Sequence, residues 1–331
     1  MAEDAPGGDS FEVSWELGPT PVHGTVELPH GRGPFPGVVL VAGSGPTDRD
    51  WNSPLLPGSN GSGRLLARAL TGAGYATLRY DKRGSGPHVR ETLPQLMGSV
   101  TMQSHVDELA GAVRLLASQP AVLPERMFGL GHSEGTLHVP HYQLGAPEIP
   151  FAGMVLAGPP GRPVGAVARS QLAAQAASVP DGAHLLDLYD AAVARFLAGE
   201  PAAPDPALPE GVRALIASLE NPVNLPFSRE LWTADAAPLL ATVDVPVLVL
   251  IGQKDIQVDW RADGDPLRRA AAGREGVDFV FPEAANHLLK QEPRPRQGLA
   301  APEVAAAYNA PDARLDPETV DTILGWLAAH C

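Results

Sequence analysis

Cysteine, basic residues and long apolar runs are all scarce in this 331-residue sequence. Cys331 is the only cysteine, so neither an intrachain disulfide nor a cluster of thiolate metal ligands can form. Lys and Arg number 24 against 38 Asp and Glu, which gives a formal net charge of −14. A basic surface that neutralises phosphates is therefore missing, and we expect no nucleic-acid partner.

Segments that direct a chain to a membrane or to secretion are also missing. No apolar run approaches the roughly 18 residues that a membrane-spanning helix needs. Residues 1–9 contain neither a basic stretch nor an apolar one. We therefore expect no membrane partner and a cytoplasmic location, where few disulfides form. The sequence carries no signal for oligomeric state.

The first half of the chain alternates between patterns typical of strands and of helices. Residues 11–17 and 22–28 alternate apolar and polar side chains around a Gly-Pro turn, which predicts an antiparallel hairpin. Further strands are predicted at residues 37–41, 75–80, 127–130 and 151–157, with helical patterns between them. This order predicts an α/β fold with a mostly parallel central sheet, an N-terminal antiparallel hairpin and helices on both faces.

The alternation stops after Gly161 and resumes near Val245. The intervening residues 161–240 are rich in alanine and show helical patterns without a convincing strand. We expect them to form a helical cap, inserted into a core of residues 1–160 and 241–331. Strands at 245–251 and 277–281 and a helix at 317–329 should complete the core. The proline-containing residues 291–314 predict only a long loop.

The residues that follow the apolar run at 127–130 match the pattern G-x-S-x-G. Gly131, His132, Ser133, Glu134 and Gly135 place a serine where a strand should turn sharply into a helix. Small residues on either side allow the strained turn that exposes such a serine. Ser133 is therefore a candidate nucleophile, provided that a base and an acid lie nearby.

An acid and a base follow Ser133 in the required chain order. Asp255 comes directly after a predicted buried strand, and His287 follows the next strand. The carboxyl ends of parallel strands meet at one edge of a sheet, so both side chains are expected near Ser133. Asp259 and Asp263 are alternative acids. His132 is expected to point away from the base.

Patterns for cofactors and metals are incomplete. Gly43 and Gly45 follow a predicted strand, as in a dinucleotide-binding loop, but the third glycine is missing and Pro46 prevents an immediate helix. His138 and His141 have helical spacing, but no carboxylate pattern joins them. We therefore expect neither a cofactor nor a metal.

These motifs resemble those of one bacterial branch of serine esterases in the α/β-hydrolase superfamily. The resemblance covers residues 11–160 and 240–331. It includes a G-S-G-P-x-D-R-D oxyanion loop at 43–50, R-Y-D-x-R-G at 79–84 and N-H-L at 286–288. Position 42, often histidine in such proteins, is alanine here.

The resemblance and the triad chemistry together assign roles to the loops. The backbone N–H groups of Glu134 and of Ser44, or alternatively Gly45, would hold the oxyanion of a tetrahedral intermediate. Five charged residues on the same edge would either brace the oxyanion loop as buried ion pairs or form a solvated cluster. They are Asp48, Arg49, Asp50, Asp81 and Arg83.

The expected function is hydrolysis of small carboxylic esters by Ser133, His287 and Asp255 through an acyl-enzyme intermediate. A thioesterase, a lactonase or a peptidase would use the same three residues. A non-catalytic ligand-binding protein on the same fold is an alternative from another class. The Ala, Leu and Pro content of the cap, with Phe227 and Trp232 near its end, suggests an apolar acyl or alcohol group in the substrate.

Overall fold

Strands from both halves of the chain form one mostly parallel sheet. The computed structural model describes residues 8–55, 58–177, 179–299, 301–310 and 312–331. The strands of that described part are β1 Gly8–Leu17, β2 Thr20–Pro29, β3 Phe35–Val41, β4 Ala76–Tyr80, β5 Val122–His132, β6 Gly153–Ala157, β7 Val247–Leu250 and β8 Val277–Val280. Their spatial order is β1-β2-β4-β3-β5-β6-β7-β8.

The pairing directions follow from the sequence patterns. The alternating strands β1 and β2 form an antiparallel hairpin, and β2 also pairs antiparallel with β4. All remaining pairs, from β4 through β8, are parallel. The predicted fold class is therefore confirmed, including the N-terminal hairpin.

Helices cover both faces of the sheet, as the composition of β3 illustrates. Val39 and Val41 belong to one hydrophobic cluster, whereas Val38 and Leu40 belong to another. Successive side chains of a strand point to opposite faces, so an uninterrupted apolar strand needs a cover on each side. The helices are α1 Ser62–Gly72, α2 Val89–Thr92, α3 Met102–Ala117, α4 Gly135–Leu144, α5 Val164–Ala176, α6 Gly182–Ala198, α7 Glu210–Leu219, α8 Leu225–Thr233, α9 Ala237–Thr242, α10 Gly264–Ala270, α11 Ala301–Tyr308 and α12 Pro317–Ala329.

Helices α5 to α9 lie between β6 and β7, where the sequence predicts a cap. A hydrophobic cluster of their own includes Tyr189, Phe196 and Ile216. The two ends of this segment meet through backbone hydrogen bonds, from Ala236 N to Pro160 O at 2.8 Å and from Val164 N to Ala234 O at 2.9 Å. Helix α9 packs into a different cluster: its Leu240 belongs to the hydrophobic cluster that also contains Val39 and Val41. The division into core and cap stays a prediction.

The segment 291–314 differs from the expected long loop. It contains a 3₁₀ turn at Arg296–Gly298 and helix α11. Val304 and Tyr308 of this helix are buried in one hydrophobic cluster with Leu288, and this apolar contact holds α11 against the loop that contains His287. None of the described helices is long and apolar enough to cross a bilayer.

Candidate active site

Ser133 occupies the sharp turn between β5 and α4. Its φ is 52°, a left-handed conformation that is strained for serine. The backbone N–H of Ser133 donates to Ala157 O at 2.8 Å. A Cβ on Gly131 would lie 2.4 Å from Gly135 O, and one on Gly135 would lie 2.5 Å from Val41 O. Both glycines are therefore required by the close approach of backbones around the serine.

His287 and Asp255 contact each other at the carboxyl ends of β8 and β7. His287 Nδ1 lies 2.7 Å from Asp255 Oδ2, and both side chains are almost fully buried. Asp255 Oδ1 accepts hydrogen bonds from the backbone N–H groups of Gln257 and Val258, at 2.8 and 2.9 Å. Gly158 lies beside this pair, because a Cβ there would be 3.5 Å from His287 Cε1. One carboxylate is therefore fixed by the backbone and bonded to the ring.

The two alternative acids have other partners. Asp259 Oδ2 accepts a hydrogen bond from Arg296 at 2.7 Å. Asp263 is buried and forms a bidentate pair with Arg162, at 3.0 and 2.9 Å. Of the three aspartates, Asp255 is the one whose carboxylate contacts the ring of His287 in the described residues.

Ser133 and His287 line the same cavity, which has a volume of about 110 Å³. No hydrogen bond joins the Ser133 hydroxyl to the His287 ring within the described residues. Such contacts often shorten only when substrate is bound. The cavity walls are mostly apolar, from Pro160, Val164, Val167, Ala168 and Val258, with Gln171 and Gln257 beside them.

Three of the apolar wall residues, Val164, Val167 and Ala168, belong to α5, and none comes from α8 near the end of the predicted cap. Phe227 packs against the ring of His105, with ring centroids 4.6 Å apart. Trp232 belongs to the hydrophobic cluster that also contains Tyr189 and Phe196 of α6. Neither side chain lines the cavity, so the sequence reasoning that used them to infer an apolar pocket was wrong about its residues.

Ser44 and Glu134 also line the cavity, whereas Gly45 does not. Among the described residues, none accepts a hydrogen bond from the backbone N–H of Ser44 or of Glu134. Glu134 is the residue that caps the start of α4, where N–H groups are unpaired and the helix dipole favours negative charge. The two groups are thus free to donate to a developing oxyanion.

Gly43 brings the Ser44 loop against the elbow. A Cβ at this position would lie 3.0 Å from His132 Nδ1 and 3.1 Å from Ser133 Cβ. The absence of a side chain therefore sets how closely the loop approaches the serine. The sequence placed Gly43 in the motif of residues 43–50, but it gave no sign of this contact with the elbow.

His132 does not point away from the base, so that expectation was wrong. Its Nε2 donates to the backbone oxygen of His287 at 2.7 Å, and the centroids of the two rings are 4.9 Å apart. The His132 ring also stacks on Trp51, with ring centroids 4.7 Å apart. Burial lowers the pKa of His132 to about 3, so its neutral ring holds the base loop by a hydrogen bond.

A buried ion pair that the sequence reasoning missed lies under the elbow. Lys82 Nζ is 2.6 Å from Glu134 Oε1, and His138 Nε2 is 3.2 Å from the same oxygen. Burial alone raises the pKa of the Glu134 carboxyl, but the Lys82 charge and the His138 hydrogen bond hold that pKa well below its usual range. Burial lowers the pKa of His138 to about 4. The only sequence signal was that Lys82 and Glu134 each belong to a motif.

The five charged residues proposed as a brace separate into distinct contacts. Arg49 bonds to Asp81 through its backbone N–H at 2.8 Å and its guanidinium at 2.6 and 3.0 Å, and this pair is mostly buried. Asp50 accepts from Arg79 at 2.7 Å. Asp48 accepts from the N–H groups of Asp50 and Asn52. Arg83 bonds instead to Glu108 of α3. The bracing role of these residues stays a prediction.

No group of three or more His, Cys, Asp or Glu side chains among the described residues is arranged to hold a metal ion. His138 contacts Glu134 and lies near His105, with ring centroids 5.0 Å apart. A carboxylate does approach His138, contrary to the sequence pattern, but it is already paired with Lys82.

Comparison with known proteins agrees with this fold. Residues 38–301 match the sequence model of the alpha/beta hydrolase family. The chain therefore belongs to the alpha/beta hydrolase family.

Among individual proteins, the chain is similar to Esterase EstD of Thermotoga maritima. The two are 28% identical over 275 residues, which cover 80% of this chain and 57% of that protein. The chain thus aligns with little more than half the length of this relative.

Solved structures show the same fold at lower identity. An esterase of Pyrococcus furiosus gives a TM-score of 0.55 at 15% identity, covering 97% of this chain and 91% of that one. The 2,6-dihydroxy-pseudo-oxynicotine hydrolase gives 0.55 at 16% identity, covering 97% and 68%. At these identities the likeness concerns the fold alone.

Proposed function

We propose that the protein is a serine hydrolase that cleaves carboxylic esters. The observation that carries the proposal is the 2.7 Å contact between His287 Nδ1 and Asp255 Oδ2, made beside the cavity into which the elbow presents Ser133. Membership of the alpha/beta hydrolase family and similarity to an esterase support the reaction class.

The reaction begins when Ser133 Oγ attacks the acyl carbon and transfers its proton to His287 Nε2. Asp255 accepts a hydrogen bond from the Nδ1–H of the resulting imidazolium and stabilises its charge. The negative charge on the carbonyl oxygen is held by the N–H groups of Ser44 and Glu134. His287 returns the proton to the departing alcohol, which leaves Ser133 acylated.

Water then completes the cycle. His287 takes a proton from a water molecule, and the resulting hydroxide attacks the acyl carbon. Collapse of the second tetrahedral intermediate breaks the bond to Ser133 Oγ, which recovers its proton from His287. The carboxylic acid leaves, and the enzyme is unchanged.

The substrate is a small ester with an apolar acyl or alcohol group. The cavity volume of about 110 Å³ is smaller than that of the engineered 150 Å³ protein cavity that binds benzene. Its walls of proline, valine and alanine offer few polar partners. We place the helical segment that supplies Val164, Val167 and Ala168 over the site as a cap.

Hydrolysis of nitrophenyl acetate and butyrate by wild type and Ser133→Ala tests this function. We expect the variant to lose at least about 10³-fold in kcat and all labelling by a fluorophosphonate probe. Ser218→Ala, in the exposed part of α7, is the matched control and should retain both. Undiminished hydrolysis or labelling in Ser133→Ala would refute the assignment of the nucleophile.

A panel of substrates identifies which type of bond the enzyme cleaves best. Matched ester, thioester, lactone and peptide substrates should give the highest kcat/KM for the ester. A higher value for another bond would replace the substrate class and keep the triad. Absence of both turnover and probe labelling in the wild type would favour the non-catalytic ligand-binding alternative.

A further inference from the structure

A buried lysine connects the two loops that meet at Ser133. Lys82 Nζ lies 2.5 Å from the carbonyl oxygen of Gly43 and 2.6 Å from Glu134 Oε1. The side chains of Lys82 and Glu134 are only 3% and 1% exposed. Burying an ammonium is costly unless acceptors replace its water. Here one carbonyl and one carboxylate do so, which fixes the position of the ammonium.

The carbonyl acceptor belongs to the same peptide as one oxyanion donor. The Gly43 carbonyl and the Ser44 N–H are the two polar groups of a trans peptide, so they point in opposite directions. Because the carbonyl points to Lys82, the N–H points away from it, and Ser44 lines the cavity. A cation at the carbonyl also polarises the peptide and strengthens its N–H as a donor.

The carboxylate acceptor belongs to the residue that supplies the other donor. The backbone N–H of Glu134 has no acceptor among the described residues, while the side chain of Glu134 bonds to Lys82 and also accepts from His138. One ammonium is thus bonded to both sides of the oxyanion hole. Lys82 itself does not line the cavity within the described residues, so it acts through its neighbours.

We propose that Lys82 is a positioning residue that fixes the spacing and direction of the Ser44 and Glu134 N–H groups for the oxyanion. This inference rests on the proposed serine-hydrolase function. Donors aimed at the oxyanion act in the transition state and little in the ground state. Loss of Lys82 should therefore lower kcat and leave KM nearly unchanged.

The first test compares Lys82→Met with wild type on nitrophenyl butyrate and on a trifluoromethyl ketone, which forms a tetrahedral adduct with the serine. We expect kcat to fall about 10²-fold, as when one oxyanion donor is lost, with KM within about threefold. Affinity for the ketone should fall by the same factor as kcat/KM. An unchanged kcat and ketone affinity would overturn the proposal.

A second variant separates positioning from simple neutralisation of Glu134. Lys82→Met leaves a buried carboxylate without its cation, which can unfold the chain. Lys82→Met/Glu134→Gln removes both charges and keeps both backbone donors. We expect this variant to remain about 10²-fold slower than wild type in kcat. Recovery of wild-type kcat would mean that Lys82 only neutralises Glu134, and the inference would be wrong.

Lys290→Met is the matched control. Lys290 is also buried, and its Nζ donates to the backbone oxygens of Asn60 and Tyr308 at 2.6 and 2.9 Å, neither of which belongs to the oxyanion hole. We expect Lys290→Met to have a lower melting temperature than wild type. The ratio of ketone affinity to KM should stay within about threefold of the wild-type ratio. An equal loss of ketone affinity would contradict a specific role for Lys82. Failure of the proposed function would appear separately, as wild-type hydrolysis that does not depend on Ser133.

Discussion

Replacing Asp255 by asparagine tests the orientation of the base. Asp255 Oδ1 accepts from two backbone N–H groups, at 2.8 and 2.9 Å, and Oδ2 faces His287 Nδ1 at 2.7 Å. In Asp255→Asn the amide oxygen should keep the two N–H groups, because turning the NH₂ toward them would sacrifice both hydrogen bonds. Each bond, left unmade in a buried site, costs about 1–3 kcal/mol. The NH₂ group must then face His287.

That orientation gives His287 the wrong tautomer. Nδ1 can only accept from an NH₂ group, so its proton moves to Nε2, the atom that must take the proton of Ser133. We expect kcat to fall about 10⁴-fold, as in serine proteases with the equivalent change. This corresponds to about 5 kcal/mol of transition-state stabilisation. The fold should persist, because the two shapes are nearly equal and the backbone hydrogen bonds are kept.

The assay is kcat for nitrophenyl butyrate, with the rate of fluorophosphonate labelling measured in parallel. Asp259→Asn is the matched control, since Asp259 pairs with Arg296 and has a side chain 38% exposed. It should retain kcat within about threefold. The reasoning fails if Asp255→Asn keeps a tenth or more of the wild-type kcat, or if Asp259→Asn shows the larger loss.

Two further predictions concern Gly43 in the Ser44 loop and the buried histidines His132 and His138. Gly43→Ala should lower kcat by about tenfold to a hundredfold, because the new methyl would lie 3.0 Å from His132 Nδ1 and push the Ser44 loop away. In the control Gly72→Ala the methyl would enter open space, so kcat should not change. Equal kcat values for the two variants would contradict this role of Gly43. Burial lowers the pKa of His132 to about 3 and of His138 to about 4, so the unfolded chain, with histidine pKa near 6.5, binds more protons than the folded chain below about pH 6.5. As the pH falls from 7 to 5, the free energy of unfolding should therefore decrease by about 2 kcal/mol for each histidine. Denaturant unfolding of wild type and His138→Gln at both pH values measures this decrease. An equally large decrease in the variant would exclude His138 as a cause of the pH dependence.

The sheet and the contact between Asp255 and His287 could be predicted because both follow from order along the chain. A buried parallel strand is recognised by its apolar run, and its carboxyl end lies at the edge where polar loops collect. Asp255 follows the buried strand β7, and His287 lies in the loop after β8, so their meeting required only the topology. The G-x-S-x-G pattern predicts a sharp local turn, and Ser133 has the positive φ that such a turn requires.

Contacts between distant loops could not be predicted in this way. Lys82 and Glu134 are 52 positions apart and are joined by packing alone. His132 points to the base loop because Trp51 stacks against it, a contact that no period in the sequence indicates. Three apolar residues of the cavity wall come from α5, and which helix of residues 161–240 reaches the cavity depends on how these helices pack together.

The hydrogen bonds from Ala236 to Pro160 and from Val164 to Ala234 bring the first and last residues of the helical segment between β6 and β7 close together. A segment closed at its base behaves as an exchangeable module, because a replacement has only to span the same short gap. The entropic cost of closing a flexible loop rises only with the logarithm of its length. We therefore expect that segments of very different length can be grafted at this junction and change the wall of the cavity, while the loops that follow β5, β7 and β8 keep the positions that the sheet gives them.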